Sequence, residues 1–145
     1  MKCLIAYVTY SGNTEEIADL IEDELVKRQI EVDSYDVSYD QMDMDLEQYD
    51  LVFLGTFTWD YGSVPEEMVA FLHEVQLESN EVAVFGSGDT QFGGEDIYCR
   101  AVEALSAIYK SNWQGLKIEQ SPRGSQEGLI SKWLERVLAD VNITI

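Results

Sequence analysis

Basic residues, cysteine, proline and histidine are all scarce in this chain, and each shortage removes a class of function. Nine Lys and Arg stand against 28 Asp and Glu in 145 residues, for a formal net charge of −19. Such a field repels nucleic acid and anionic membrane, and it draws in basic protein surfaces at an enhanced rate. The shortage is one-sided: no Lys or Arg occurs between Arg28 and Arg100, whereas residues 29–99 carry 17 acids. Solubility alone explains a negative total but not that asymmetry. The two cysteines, Cys3 and Cys99, lack metal-ligand spacing and read as reduced core residues. The single histidine, His73, adjoins an apolar helix face with no Ser or Cys nucleophile near it in sequence, which favours a surface position over catalysis. Two prolines and 46% hydrophobic residues describe a compact chain and exclude disorder. No apolar run approaches the roughly 20 residues of a membrane span, and nothing resembles a signal peptide, so a cytoplasmic protein is expected. The length fits one domain, 1–145, able to bury roughly two-thirds of its unfolded surface. Repeats, low-complexity segments and linkers are missing too.

What the chain has in concentration is Thr9-Tyr10-Ser11-Gly12-Asn13-Thr14, uncharged and rich in hydroxyls, between the apolar run Cys3 to Val8 and an amphipathic run beginning at Glu15. A strand feeding a small polar loop and then a helix aims backbone N–H groups at one point, which makes an anion site. Neither GxxxxGK[ST] nor GxGxxG occurs, and no lysine stands ready for a triphosphate, so a single terminal phosphate is the best match. A well-capped strand-to-helix turn with no ligand fits the same six residues.

Cys3 to Val8, Leu51 to Gly55 and Val82 to Phe85 are continuous apolar runs, as interior parallel strands require. Ile30, Val32, Tyr35 and Val37, and later Leu116 and Ile118, alternate with polar residues and suit sheet edges. Helices are expected from Ile17, Ala18, Ile21 and Leu25, with Asn13 and Glu16 as a capping box. Others follow from Met68, Leu72 and Val75 after Ser63 and Pro65, from Ile97, Ala101, Ala104, Leu105 and Ile108, and from Ile130, Trp133, Val137 and Val141. Trp133 reads as core. The acidic stretch 38–50, with Asp40, Asp43 and Asp45, reads as a short helix or irregular connector; it lacks the EF-hand glycine and closing glutamate, so its acids form a solvated face. This βα alternation predicts an α/β protein with a doubly wound five-stranded parallel sheet in the order 2-1-3-4-5 and helices on both faces. Its ligand crevice lies at the carboxyl ends of strands one and three. Two more loops arrive there. Thr56-Phe57-Thr58-Trp59-Asp60-Tyr61-Gly62 puts three aromatics in a polar loop, and Gly86-Ser87-Gly88-Asp89 through Phe92 to Gly94 permits close backbone approach to a flat ligand.

One phosphate and one flat ring between aromatic walls suggest flavin mononucleotide (FMN). The chain resembles a short-chain flavodoxin from end to end: IAYVTYSGNTEEIADLI is similar to the family's phosphate-loop signature, and TFTW and GSGD stand where its second and third loops do. Ala6 departs, standing where a larger apolar residue is usual, and the strand-five insertion of the long-chain branch is missing. The resemblance implies that Thr9, Ser11, Asn13 and Thr14, with the amides of Tyr10 and Gly12, hold the phosphate. It implies that Thr56 and Thr58 meet the ribityl chain and ring edge, within a loop spanning Phe57, Trp59, Asp60, Tyr61 and Gly62. Trp59 and Phe92 would flank the ring, with Ser87, Gly88 and Asp89 at its pyrimidine edge. Phe92 stands where a tyrosine is common, keeping the stacking face without the hydroxyl. Asp60 stands where many members have a glycine whose peptide turns over on reduction, a turn that costs more for a non-glycine residue.

The expected function is a low-potential one-electron carrier rather than an enzyme, a monomer that shuttles electrons from a reductase to acceptor enzymes through basic-surfaced partners. It would cycle mainly between semiquinone and hydroquinone. A flavin quinone reductase shares fold and cofactor, but neither an extra substrate loop nor a basic nicotinamide site is visible. A receiver-like module without flavin would need an acidic pair after strand one and a phosphoacceptor Asp after strand three, and Tyr7 to Tyr10 and Thr56 to Trp59 supply neither. A flavodoxin-like activator of a manganese ribonucleotide reductase is a further alternative, although such chains are usually shorter.

Overall fold

The three continuous apolar runs form the middle of a single sheet. The computed structural model describes residues 2–10, 12–38, 46–57, 64–75, 81–88, 99–119 and 124–141. Five parallel strands, β1 (Lys2–Tyr7), β2 (Glu31–Asp36), β3 (Leu51–Phe57), β4 (Glu81–Gly88) and β5 (Leu116–Glu119), lie in the order β2-β1-β3-β4-β5. The interior strands run further than the apolar runs alone indicate, because Thr56, Phe57 and Gly86 to Gly88 continue the β3–β4 ladder as far as the Phe57–Ser87 pair.

Strand alternation divides the core in two. Cys3, Ile5, Tyr7, Leu51, Phe53 and Phe85 face α1 (Asn13–Lys27) and α4 (Ser125–Val141), whose Ile17, Ile21, Leu25, Ile130, Leu134 and Val137 cover them. Leu4, Ala6, Val52, Leu54, Val82 and Val84 face α2 (Glu66–Val75) and α3 (Arg100–Ile108), through Met68, Phe71, Val102 and Leu105. The cysteines sit in opposite clusters, Cys3 in β1 and Cys99 as the residue before α3 rather than within it, and neither forms a disulfide. Burial pushes the Cys3 thiol up to about 12, with the Asp50 carboxylate adding to the shift. It therefore remains a protonated core group.

Three local expectations change. Helix α1 starts at Asn13, so Gly12 in the left-handed region (φ 93°) takes the cap position and the Asn13–Glu16 capping box does not arise. Phe71, not named from periodicity, is buried on α2, while Leu72 and Val75 are only partly covered. On α3, Val102 is buried and Ile108 is 65% exposed, because the final residue of the helix has left the sheet. Of the acidic connector, the described part is a single 3-10 turn, Leu46–Gln48, anchored by buried Leu46 and Tyr49; Asp40, Asp43 and Asp45 lie outside the described residues, as does Ile97. Tyr49 donates to the Asp33 carboxylate at 2.7 Å, tying that turn to the acidic edge strand.

Gly55 is where the sheet permits no side chain. It pairs with Tyr7 on one side and Phe85 on the other, and an added Cβ would lie 2.3 Å from Phe85 Cζ and 2.9 Å from Tyr7 Cβ. Gly55→Ala is expected to destabilise the fold by about 1–3 kcal/mol through overpacking. Chemical denaturation should show a lower midpoint, and Phe85→Leu in the same chain should restore part of the loss.

Candidate functional site

The crevice at the carboxyl ends of β1 and β3 is assembled from three segments that the register brings level. Tyr7, Gly55 and Phe85 are paired neighbours, so the loop after β1, the end of β3 and the end of β4 open on the same side. The Val8 N–H donates to the Gly55 carbonyl (3.0 Å) and the Val37 N–H to the Tyr7 carbonyl (2.9 Å), which fixes the exit of β1 between its neighbours.

Within the loop, the Gly12 N–H donates to Thr9 Oγ1 at 2.9 Å, and the Glu16 N–H to the Gly12 carbonyl at 3.1 Å. Helix geometry then leaves the amides of Thr14 and Glu15 without an intrahelical acceptor, directed past the N-terminus of α1. The space beside Gly12 is open, with nothing within 4 Å of the point where a Cβ would stand, yet its φ of 93° disfavours any side chain there. The arrangement offers an anion the positive end of a 15-residue helix.

Thr14 is turned inward. Its hydroxyl lies 2.9 Å from Ser87 Oγ and donates weakly to the Thr56 carbonyl at 3.4 Å, with all three residues almost fully buried. Thr56 Oγ1 donates to the Phe57 carbonyl. These polar groups stitch the first turn of α1 to the ends of β3 and β4. Thr14→Val leaves the Ser87 hydroxyl buried without that partner and should cost about 1–3 kcal/mol, whereas Thr14→Val with Ser87→Ala should recover much of it. A double-mutant cycle measured by denaturation reads the coupling.

Tyr10 is half exposed and links the loop after β1 to the end of β3 and the first turn of α2. Its ring lies 4.6 Å from that of Phe57 at 57°, and its hydroxyl donates to both oxygens of Glu67 at 2.7 and 2.8 Å. The Glu67 hydrogen bond raises the Tyr10 pKa. Sequence reasoning gives Tyr10 a role only through its amide and does not identify Glu67; no local pattern connects residues 57 positions apart.

Thr9, Tyr10, Gly12, Asn13, Thr14, Thr56, Phe57, Ser87 and Gly88 therefore lie on the three converging segments. Ser11, Thr58, Trp59, Asp60, Tyr61, Gly62, Asp89 and Phe92 lie outside the described residues. Among the described residues no His/Cys/Asp/Glu cluster has the geometry of a metal site, and no described helix is long and apolar enough to cross a membrane. Trp133 packs its ring 5.8 Å from Phe53 and donates its Nε1–H to the Gln114 carbonyl, so it belongs to the core side of α4. His73 is exposed on α2.

Acids crowd the helix behind the loop. Partial burial raises the Asp19 carboxyl, with Asp23 and Glu16 adding to it, and raises Glu22, with Asp19 and Asp23 adding. A carboxyl whose pKa is raised on folding binds its proton more tightly when native, so its ionisation costs stability as pH rises past its ordinary value, 3.8 for Asp19 and 4.5 for Glu22. That cost is complete above the raised value and is relieved as pH falls through it. Thermal melting is expected at higher temperature as pH is lowered through the raised values toward 4.5, with the pH effect shrinking in concentrated salt.

A doubly wound parallel sheet with a polar strand–loop–helix at its switch point defines the class: flavodoxin-like α/β proteins. The flavodoxin family model matches residues 5–124. "Probable flavodoxin 2" of Bacillus subtilis is 39% identical over 138 residues, covering 87% of each chain, and "Probable flavodoxin 1" of the same organism is 37% identical over 140 residues, covering 87% of this chain and 82% of its own. Oxidised Flavodoxin 2 from Bacillus cereus superposes with a TM-score of 0.78 at 35% identity, covering 97% of this chain and 99% of its own. The chain belongs to the flavodoxin family.

Proposed function

We propose that the crevice binds FMN and that the protein is a one-electron carrier between a reductase and acceptor proteins. Family and fold support an FMN electron-transfer function. The observation that carries the reading is the convergence of the amide-rich loop with the ends of β3 and β4 in one crevice. The donor set fits a phosphate monoester: a helix N-terminus, uncommitted amides at Thr14 and Glu15, the Thr9 hydroxyl, and open space beside Gly12. Asn13 and Ser11 complete that cradle. In this reading Thr14 serves the phosphate through its amide while its hydroxyl stays with Ser87. Thr58, Gly88 and Asp89 edge the ring, with Thr56 and Ser87, whose hydroxyls are buried, supporting that edge from behind, and Trp59 and Phe92 cover its faces. Bound FMN supplies the electron-accepting ring.

Surrounding acids make that ring a strong reductant. Each carboxylate at about 10 Å opposes added negative charge by roughly 0.5–1 kcal/mol before screening. Glu66 in the first turn of α2 adds an exposed acid on the crevice side, and Glu67 holds the Tyr10 hydroxyl, so a basic redox partner is steered to this side. Stoichiometric FMN should copurify, and anaerobic reductive titration should develop the long-wavelength absorption of a neutral one-electron-reduced flavin. Colourless protein indifferent to added FMN would overturn the cofactor. Direct two-electron reduction by a nicotinamide, with no radical accumulating, would make it a quinone reductase instead.

A further inference from the structure

Away from the crevice, a second concavity of about 360 Å³ opens between the segment entering β5 and the adjoining flank of α4. None of its lining residues is on the three crevice segments. Its walls are Trp113, Trp133 and Leu129, the last 51% exposed, and its cations are Lys117, Lys132 and Arg136. In a chain with 9 basic residues against 28 acids, three cations around one hollow is a marked concentration.

The nearby acids are already engaged. Glu103 pairs with Lys117, and Asp140 accepts the Trp113 Nε1–H at 2.8 Å. Lys132 and Arg136, one helical turn apart on the same face, have no ion pair among the described residues. Like charges at that spacing repel, so the pair gains from an anion seated between them. Apolar and aromatic walls with a few convergent charges, in a hollow of this size, are the composition of a small-molecule site.

We propose that this groove binds a small planar aromatic carboxylate, its ring against Trp113, Trp133 and Leu129 and its carboxylate on Lys132 and Arg136. Charge selects the small ligand over a macromolecule. A second copy of this chain, or another acidic protein, would bring its own field against −19, whereas a monoanion meets mainly the two nearest cations. Arginine adds planar two-pronged recognition of carboxylate and stacking on rings.

The test is a two-dimensional amide spectrum of FMN-loaded protein freed of unbound FMN, titrated with 2-naphthoate, with 2-naphthylmethanol as the uncharged ring and acetate as the ringless anion. Saturable shifts of the Trp113 and Trp133 indole N–H signals are expected with 2-naphthoate at about millimolar concentration, at least about tenfold weaker with either control. Charge reversal of the two exposed cations, Lys132→Glu with Arg136→Glu, should weaken binding by at least about tenfold, and the milder Lys132→Gln with Arg136→Gln by less. Dispersed spectra of the variants verify folding. Equal affinity for 2-naphthylmethanol, unchanged affinity in both variants, or shifts confined to the Trp59 indole would each overturn the proposal. The readout is independent of electron transfer, so it stands or falls separately from the FMN reading.

Discussion

Protein held with free FMN at 1,000 times its dissociation constant should resist unfolding by about 4 kcal/mol more than the same protein stripped of cofactor. The gain is mass action: on the proposed site FMN meets its partners only when β1, β3 and β4 are aligned, since the register brings the loop after β1 and the ends of the other two strands to one side. Each further tenfold of free FMN should add about 1.4 kcal/mol. Riboflavin, which lacks the phosphate, separates the anchor from the ring. The loop offers uncommitted amides at a helix N-terminus, and hydrogen bonds to a charged group are each worth about 1.5–3 kcal/mol, so riboflavin should bind at least about a hundredfold more weakly. Thermal melts across FMN and riboflavin concentrations measure both effects. A melting temperature indifferent to FMN would remove the cofactor, and equal shifts from the two flavins would remove the loop's assigned role.

The fold is legible in the sequence because burial on both faces leaves a direct mark on composition. Cys3 to Val8, Leu51 to Gly55 and Val82 to Phe85 have no polar face to show, while Val32 and Tyr35 alternate with acids; that contrast decides interior against edge, and the order β2-β1-β3-β4-β5 follows. The anion loop is legible for a related reason, since a run of small polar residues at a strand-to-helix junction has few other uses. Side-chain partnerships across the chain are not legible. The Thr14–Ser87 pair spans 73 residues and Tyr10–Glu67 spans 57, and in each case the partner is chosen by strand register and helix docking. The same limit explains α1 and α3. Gly12 takes the cap because the chain must turn left-handed to place Thr14 over β3, and Ile108 is exposed because helix length, not periodicity, decides where α3 leaves the sheet.

Those long-range partnerships shift the emphasis of the site. Outward roles on a ligand are expected of Thr14, Thr56 and Ser87, yet their hydroxyls are buried, with Thr14 and Ser87 close to each other and Thr56 donating to the Phe57 carbonyl. On the proposed reading the ligand meets backbone amides of the loop after β1, and the buried hydroxyls set where those amides point. A rigid scaffold of this kind suits a carrier whose chemistry resides in the ring.

Phe53→Ala should reveal how far that scaffold can be weakened without touching the crevice, and its expected cost is about 3–5 kcal/mol. Phe53 is fully buried at the centre of β3, paired in register with Ile5 and Ala83 and packed against Trp133 with ring centroids 5.8 Å apart. Ala83 has no bulk to move into the vacated volume, and Ile5 is held by its own strand, so the cavity cannot collapse cheaply. Against the roughly 5–15 kcal/mol typical of a whole domain, the loss is a large share of total stability. Binding should behave differently. Phe53 points to the α1 and α4 side two residues before Gly55, and among the described residues none of Thr9, Tyr10 and Gly12 belongs to its cluster. Guanidinium denaturation should therefore show a much lower midpoint while native variant, assayed at low temperature, holds FMN within about threefold of the parent, which is under about 1 kcal/mol. A stability loss below about 1 kcal/mol would mean the ring is not packed as described. A large loss of FMN affinity in protein shown to be folded would mean that core and crevice are coupled, contrary to the division of labour between buried sheet and converging loops.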